Sequence, residues 1–116
     1  MGDVRAFVVE AEIGLGEGCD PAEVGAAVTV ELCGHWDHEG PCRWPHNNEI
    51  DAGREPASFR TVYVADESEE PHVRERVEAG LRGGDGWRVV SIAPRPVADS
   101  ERTLANNLLT SPRREP

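Results

Sequence analysis

The sequence predicts one α+β domain: strand, helix, strand, strand, helix, strand, forming a four-stranded antiparallel sheet with helices on one face. Three observations carry this expectation. Several segments alternate apolar and polar residues with period two. One segment, containing Val73, Val77 and Leu81, repeats an apolar residue every four positions. Glycine, proline and capping residues punctuate the intervals. Residues 1–97 form the expected domain, and residues 98–116 a C-terminal extension.

Residues 4–13 alternate as a strand, with Phe7, Val9, Ala11 and Ile13 on one face and Glu10 and Glu12 on the other. Gly14, Gly16 and Gly18 end it. Their spacing lacks the third glycine of a dinucleotide loop, and Glu17 and Asp20 would repel a phosphate, so the segment reads as a turn. Asp20-Pro21-Ala22-Glu23 starts a helix: Asp20 as cap, Pro21 at the first helical position, Glu23 reaching back. That helix is expected to be short, because Val28, Val30 and Leu32 read as a second strand opposed by Thr29, Glu31, Cys33 and His35. A polar stretch over 36–56 follows. The third strand covers 57–65, with Val62 and Val64 on one face and Phe59, Thr61 and Tyr63 on the other. The main helix covers 68–82, capped by Ser68 and stopped by Gly83 and Gly84. The fourth strand covers 86–94, with Val90 and Ile92 opposite Trp87 and Val89. Beyond it, Leu104, Leu108 and Leu109 make one amphipathic patch, and the chain is polar and proline-rich after Thr110.

Charge narrows the function classes. The 116 residues carry 22 carboxylates against 12 basic residues, all arginine, for a net charge of -10. Nucleic acid and anionic membrane both require a basic surface, so neither is an expected partner. No apolar run approaches the ~20 residues that span a bilayer. Without lysine, Schiff-base and P-loop lysine chemistry are excluded, so a catalyst would need His, Cys, carboxylate or metal. The charge is also uneven: residues 1–58 carry a net of -9, and residues 59–116 a net of -1. A cation is drawn to the first half.

That half holds the densest chemistry. Residues 33–46 read Cys-Gly-His-Trp-Asp-His-Glu-Gly-Pro-Cys-Arg-Trp-Pro-His and contain five of the chain's seven cysteines and histidines. Thiolate and imidazole are the ligands Zn²⁺ prefers. Cys33, His35, His38, Cys42 and His46 are therefore the expected metal ligands, with Asp37 and Glu39 as oxygen ligands or acceptors for imidazole N–H groups. The spacing has no CxxC knuckle, so the signal is one of composition. Two other readings stand beside it: a metal-free catalytic or ligand-contacting loop, and a purely structural loop. In the catalytic reading His35 or His38 acts as acid or base, or one of these cysteines as nucleophile, although the surrounding carboxylates oppose a low thiolate pKa.

Three cysteines and no basic-then-apolar leader after Met1 lead to the expectation of reduced thiols and a cytoplasmic location. The sheet face away from the helices is expected to carry Phe59, Thr61, Tyr63, Trp87 and Val89. Such a face closes on a second copy, making a homodimer, or on a small-molecule ligand or protein partner lined by Trp36, Tyr63 and Trp87. The remaining option is that the segment around Leu104–Leu109 folds over it.

This order of elements resembles ferredoxin-like domains, the βαββαβ sandwich, including the dimeric α/β-barrel proteins. The resemblance covers topology alone and carries no motif, so it implies a fold and many functions. Three functions follow as expectations. The first is a small zinc-binding module that recognises a ligand or partner. The second is a small enzyme using the His/Cys loop and open sheet face. The third is a non-catalytic adaptor of a larger enzyme.

Overall fold

The computed structural model describes residues 3–33 and 44–110. Four strands, β1 (Val4–Leu15), β2 (His46–Asp51), β3 (Ala57–Asp66) and β4 (Trp87–Arg95), form one sheet. Three helices, α1 (Ala22–Cys33), α2 (Glu70–Arg82) and α3 (Arg102–Leu109), pack on it, α3 following a 3-10 turn at Asp99–Glu101. The strand order is β2-β3-β1-β4, and every adjacent pair is antiparallel. The α+β class and the antiparallel sheet agree with the sequence. Each of α1 and α2 joins two strands that flank a third.

The second expected strand is instead the body of α1. Asp20 starts it as expected, accepting the Ala22 N–H at 3.0 Å. Val24, Val28 and Leu32 then recur every fourth residue and are all buried. Val30, inward in the strand reading, is 45% exposed. The β-branched run Val28-Thr29-Val30 mimics a strand, yet its burial follows the helical period. The true β2 lies inside the polar stretch, where His-Asn-Asn-Glu-Ile-Asp offers no apolar alternation.

The faces also differ from expectation. Phe7 pairs with Tyr63 and Ala11 with Phe59, so these aromatics share the face that α1 and α2 cover. The register between β1 and β4 shifts at Glu12 and Ile13. Ile13 pairs with Val89 and Ala11 with Ile92, which brings Trp87, Val89 and Ile92 to that same face. The bulge leaves Val90 50% exposed. Period-two alternation separates two faces without saying which is inward; pairing decides that.

Helix α2 buries Val73, Val77 and Leu81 as expected. Ser68 does not cap it; its backbone N–H and hydroxyl bond to the Asp66 carboxylate at 2.9 and 2.7 Å. Gly84 lies beneath the Trp87 indole, where a Cβ would come within 2.0 Å of the ring.

The opposite sheet face is not an open aromatic surface. Helix α3 sets Leu104, Ala105 and Leu108 on Val8 and Val62. Helices therefore occupy both faces, with α1 and α2 on one and α3 on the other. Arg60 fastens this third helix. It donates to both Glu101 carboxylate oxygens at 2.6 and 2.8 Å, to Glu10 at 2.8 Å and to the Pro96 carbonyl at 3.1 Å.

Candidate functional site

The side of α1 that faces β2 is built from small residues: Ala22, Gly25, Ala26 and Thr29. Small side chains let the helix approach the strand. At Gly25 a Cβ would stand 3.3 Å from the Asn48 Cβ. Beyond this contact the two elements leave a groove of about 290 Å³, walled by Pro21 and by α1 as far as Thr29, by Asn48, Glu49 and Ile50 of β2, and by Phe59 of β3.

A continuous chain of polar contacts runs beneath the groove. His46 Nδ1 lies 3.0 Å from the Trp44 carbonyl, and its Nε2 lies 3.0 Å from Thr29 Oγ1. A carbonyl only accepts, so Nδ1 carries the proton in neutral His46 and Nε2 accepts from the Thr29 hydroxyl. Asn48 Nδ2 donates to the same hydroxyl at 3.1 Å and to the Gly25 carbonyl at 2.9 Å. Each partner is thereby oriented, and β2 is tied to α1 without apolar residues. Two buried oxygens, Asn48 Oδ1 and Thr61 Oγ1, have no protein partner. Asn48 and Thr61 are opposite each other in register.

Of the expected site residues, Cys33, His46, Tyr63 and Trp87 are among the described residues. His35, Trp36, His38 and Cys42 lie outside the described residues, as do Asp37 and Glu39. Cys33, at the end of α1, is buried and disulfide-bonded, while Cys19 is free. This corrects the expectation of three reduced thiols. A disulfide sulfur is not a thiolate ligand, and both ring nitrogens of His46 are engaged. Among the described residues no cluster of three His, Cys, Asp or Glu is placed to hold a metal ion.

Trp44 is buried beside α2, with His72 edge-on at 5.9 Å and the Arg76 guanidinium 5.9 Å from its ring centroid. Arg76 also reaches the Glu31 carbonyl at 3.2 Å, which links α2 to α1. Tyr63 is opposite His46 in register, in the core. Its hydroxyl donates to Glu70 at 2.5 Å. Burial pushes the phenol far above its usual range, and the Glu70 carboxylate adds to the shift. Trp87 sits on the opposite edge strand and donates to the Leu81 carbonyl at 2.8 Å. Tyr63 is thus a core residue and Trp87 a half-buried one two strands away, on β4.

A second concavity, about 250 Å³, lies on the other sheet face between Glu10, Glu12, Ser58, Ser91, Arg54 and Arg95. Its carboxylates already meet partners: Glu10 binds Arg60 and Arg95, and Glu12 accepts from Ser91.

Thr29, Asn48 and Gly25 were not singled out by the sequence as site residues. The signal available was the helical spacing of Ala22, Gly25, Ala26 and Thr29, which becomes visible only once residues 22–33 are read as helix. Fold and site together define a small α+β domain with a mainly apolar groove beside an edge strand. Comparison with known protein families, curated proteins and solved structures finds no match.

Proposed function

We propose that the protein is a non-catalytic partner-binding module whose recognition site is the groove between α1 and β2. The observation that carries this reading is the groove itself: small apolar walls over a floor where His46, Thr29 and Asn48 are oriented by bonds to one another and to the backbone. Such a surface accepts an apolar side chain and presents no acid/base pair to it. Its polar lining is Thr29, Asn48 and Glu49. The sheet order, read from the β4 edge as 4-1-3-2, supports a ferredoxin-like arrangement, from which α3 on the second face departs.

A zinc site that uses Cys33 and His46 is less well supported, because it would require both reduction of Cys33 and release of His46 from Thr29 or Trp44. The disulfide at Cys33 weighs toward an oxidising compartment rather than the cytoplasm. The aromatic residues invoked for a homodimer through the open sheet face, Phe59, Tyr63 and Trp87, pack on the face that α1 and α2 cover, so they lend that surface no support.

The test is selection of a random heptapeptide library on the purified chain, followed by amide-shift mapping of the enriched peptides. They should shift residues 21–29 and 46–51. Ala26→Leu, which fills the groove, should weaken them at least ~tenfold. Peptides that shift only other residues, or that ignore Ala26→Leu, would refute the site.

A further inference from the structure

We propose that the groove receives an extended, arginine- or lysine-bearing segment of a partner protein, added as a fifth strand along the free edge of β2 with one apolar side chain seated against α1. This rests on the groove being the binding site and names its partner.

The edge is legible from the ladder. Val64 N–H donates to the Pro45 carbonyl at 2.9 Å, and the β2–β3 register continues from there without a break. Hydrogen-bonded pairs alternate in an antiparallel ladder. Asn47, Glu49 and Asp51 therefore bond inward to β3, while Asn48 and Ile50 turn N–H and C=O outward. No described residue pairs with these four outward groups. The other edge is blunted. β4 carries Pro94, which has no N–H, and the bulge at Val90 breaks its spacing. Of the two sheet edges, only that of β2 is regular enough to extend.

Groove and edge are contiguous, since Asn48 and Ile50 belong to both. An added strand bonds to the backbone, and its alternate side chains point toward α1. This is the geometry by which strand addition combines general affinity with side-chain specificity. Ala22, Gly25 and Ala26 leave room there for a branched aliphatic or aromatic side chain.

Charge selects the partner. No arginine occurs between positions 6 and 42, and α1 and β2 contain none. Around the groove, Asp20, Glu23, Glu49 and Asp51 are exposed. A second copy adding its own β2 would bring Glu49 and Asp51 against their counterparts, and like charges across strands destabilise. A cationic segment gains attraction at the same positions and a faster encounter.

The test uses the labelled full chain and five capped heptapeptides. The parent alternates arginine with Val, Leu and Val. Two derivatives replace every arginine by glutamate or by serine. The last two are the parent N-methylated on one or the other alternate set of amides. The parent should shift residues 21–29 and 46–51. The glutamate peptide should bind at least ~tenfold more weakly, and raising salt tenfold should weaken the parent several-fold, on the order of 3–10. One N-methylated form, and only one, should lose about tenfold or more, because a strand bonds through one set of amides. Equal binding of the arginine, serine and glutamate peptides in the groove overturns the cationic partner and leaves the groove reading standing. Equal binding of both N-methylated forms overturns strand addition. Shifts confined to other residues overturn the groove reading itself. Concentration-dependent self-association that shifts the same residues without peptide assigns the edge to a second copy and overturns the proposal.

Discussion

Glu101→Gln tests the latch that holds α3 on the sheet. Glu101 takes two bonds from Arg60 and one from the Ala98 N–H, at 2.6, 2.8 and 2.9 Å. The two side chains are only 12% and 23% exposed, so solvent screens the pair less than a surface pair. Exposed pairs contribute about 0.2–1 kcal/mol, and hydrogen bonds to charged groups about 1.5–3 kcal/mol. Glutamine keeps the shape, the Ala98 bond and one Arg60 bond, which places the expected loss at about 1–2 kcal/mol near neutral pH. For a domain of this size each kcal/mol lowers Tm by about 4 °C. The pH dependence has a definite sign. The Arg60 bonds hold the Glu101 carboxyl below its usual range, against a smaller opposing effect of burial. Its stabilisation is therefore complete above the unfolded pKa of about 4.3 and disappears as pH falls through the lower folded value. At that point protonated Glu101 and glutamine are nearly equivalent. Urea unfolding of both proteins at pH 7 and at about pH 2.5, followed by tryptophan fluorescence, measures the difference. Amide exchange at Ala105 and its helical neighbours reports whether α3 opens before the rest. A difference under ~0.3 kcal/mol at pH 7, or one unchanged in acid, would sink the latch.

Two further outcomes follow from contacts at the two ends of α1. Thr29→Val keeps shape but strands His46 Nε2 and one Asn48 N–H; the expected cost is about 2–4 kcal/mol, read by denaturant midpoint, with β2 amides losing protection first. Without reductant the unfolded chain should show one reactive thiol. In the folded chain Cys19 should alkylate more slowly than a free cysteine at pH 8, because partial burial, then the nearby Glu23 and Asp20, raise its pKa; Glu23→Gln should speed it.

Much of the fold was legible. The period-two run in β1 and the four-residue stripe of α2 each bury one face, so composition and spacing suffice there. The Asp20 cap was legible because the sequence places proline and a capping carboxylate next to each other. The length of α1 was not. Val28, Thr29 and Val30 favour a strand locally, and only packing on α2 and the sheet selects the helix. Strand β2 was invisible because two of its three inward residues, His46 and Asn48, are polar; they bond to Thr29 and Gly25, contacts 17 and 23 residues distant in sequence.

By itself the sequence determined the class of domain, the -10 charge with its concentration in the first half, and the exclusion of lysine chemistry. These are sums and local periods, and they need no knowledge of what touches what. Tertiary structure alone decided which face of β3 is inward, what covers the other face, and where a groove opens. Those are matters of register and packing. A one-residue change of pairing reverses a strand's faces, and a groove exists only between elements that the chain brings together from separate segments.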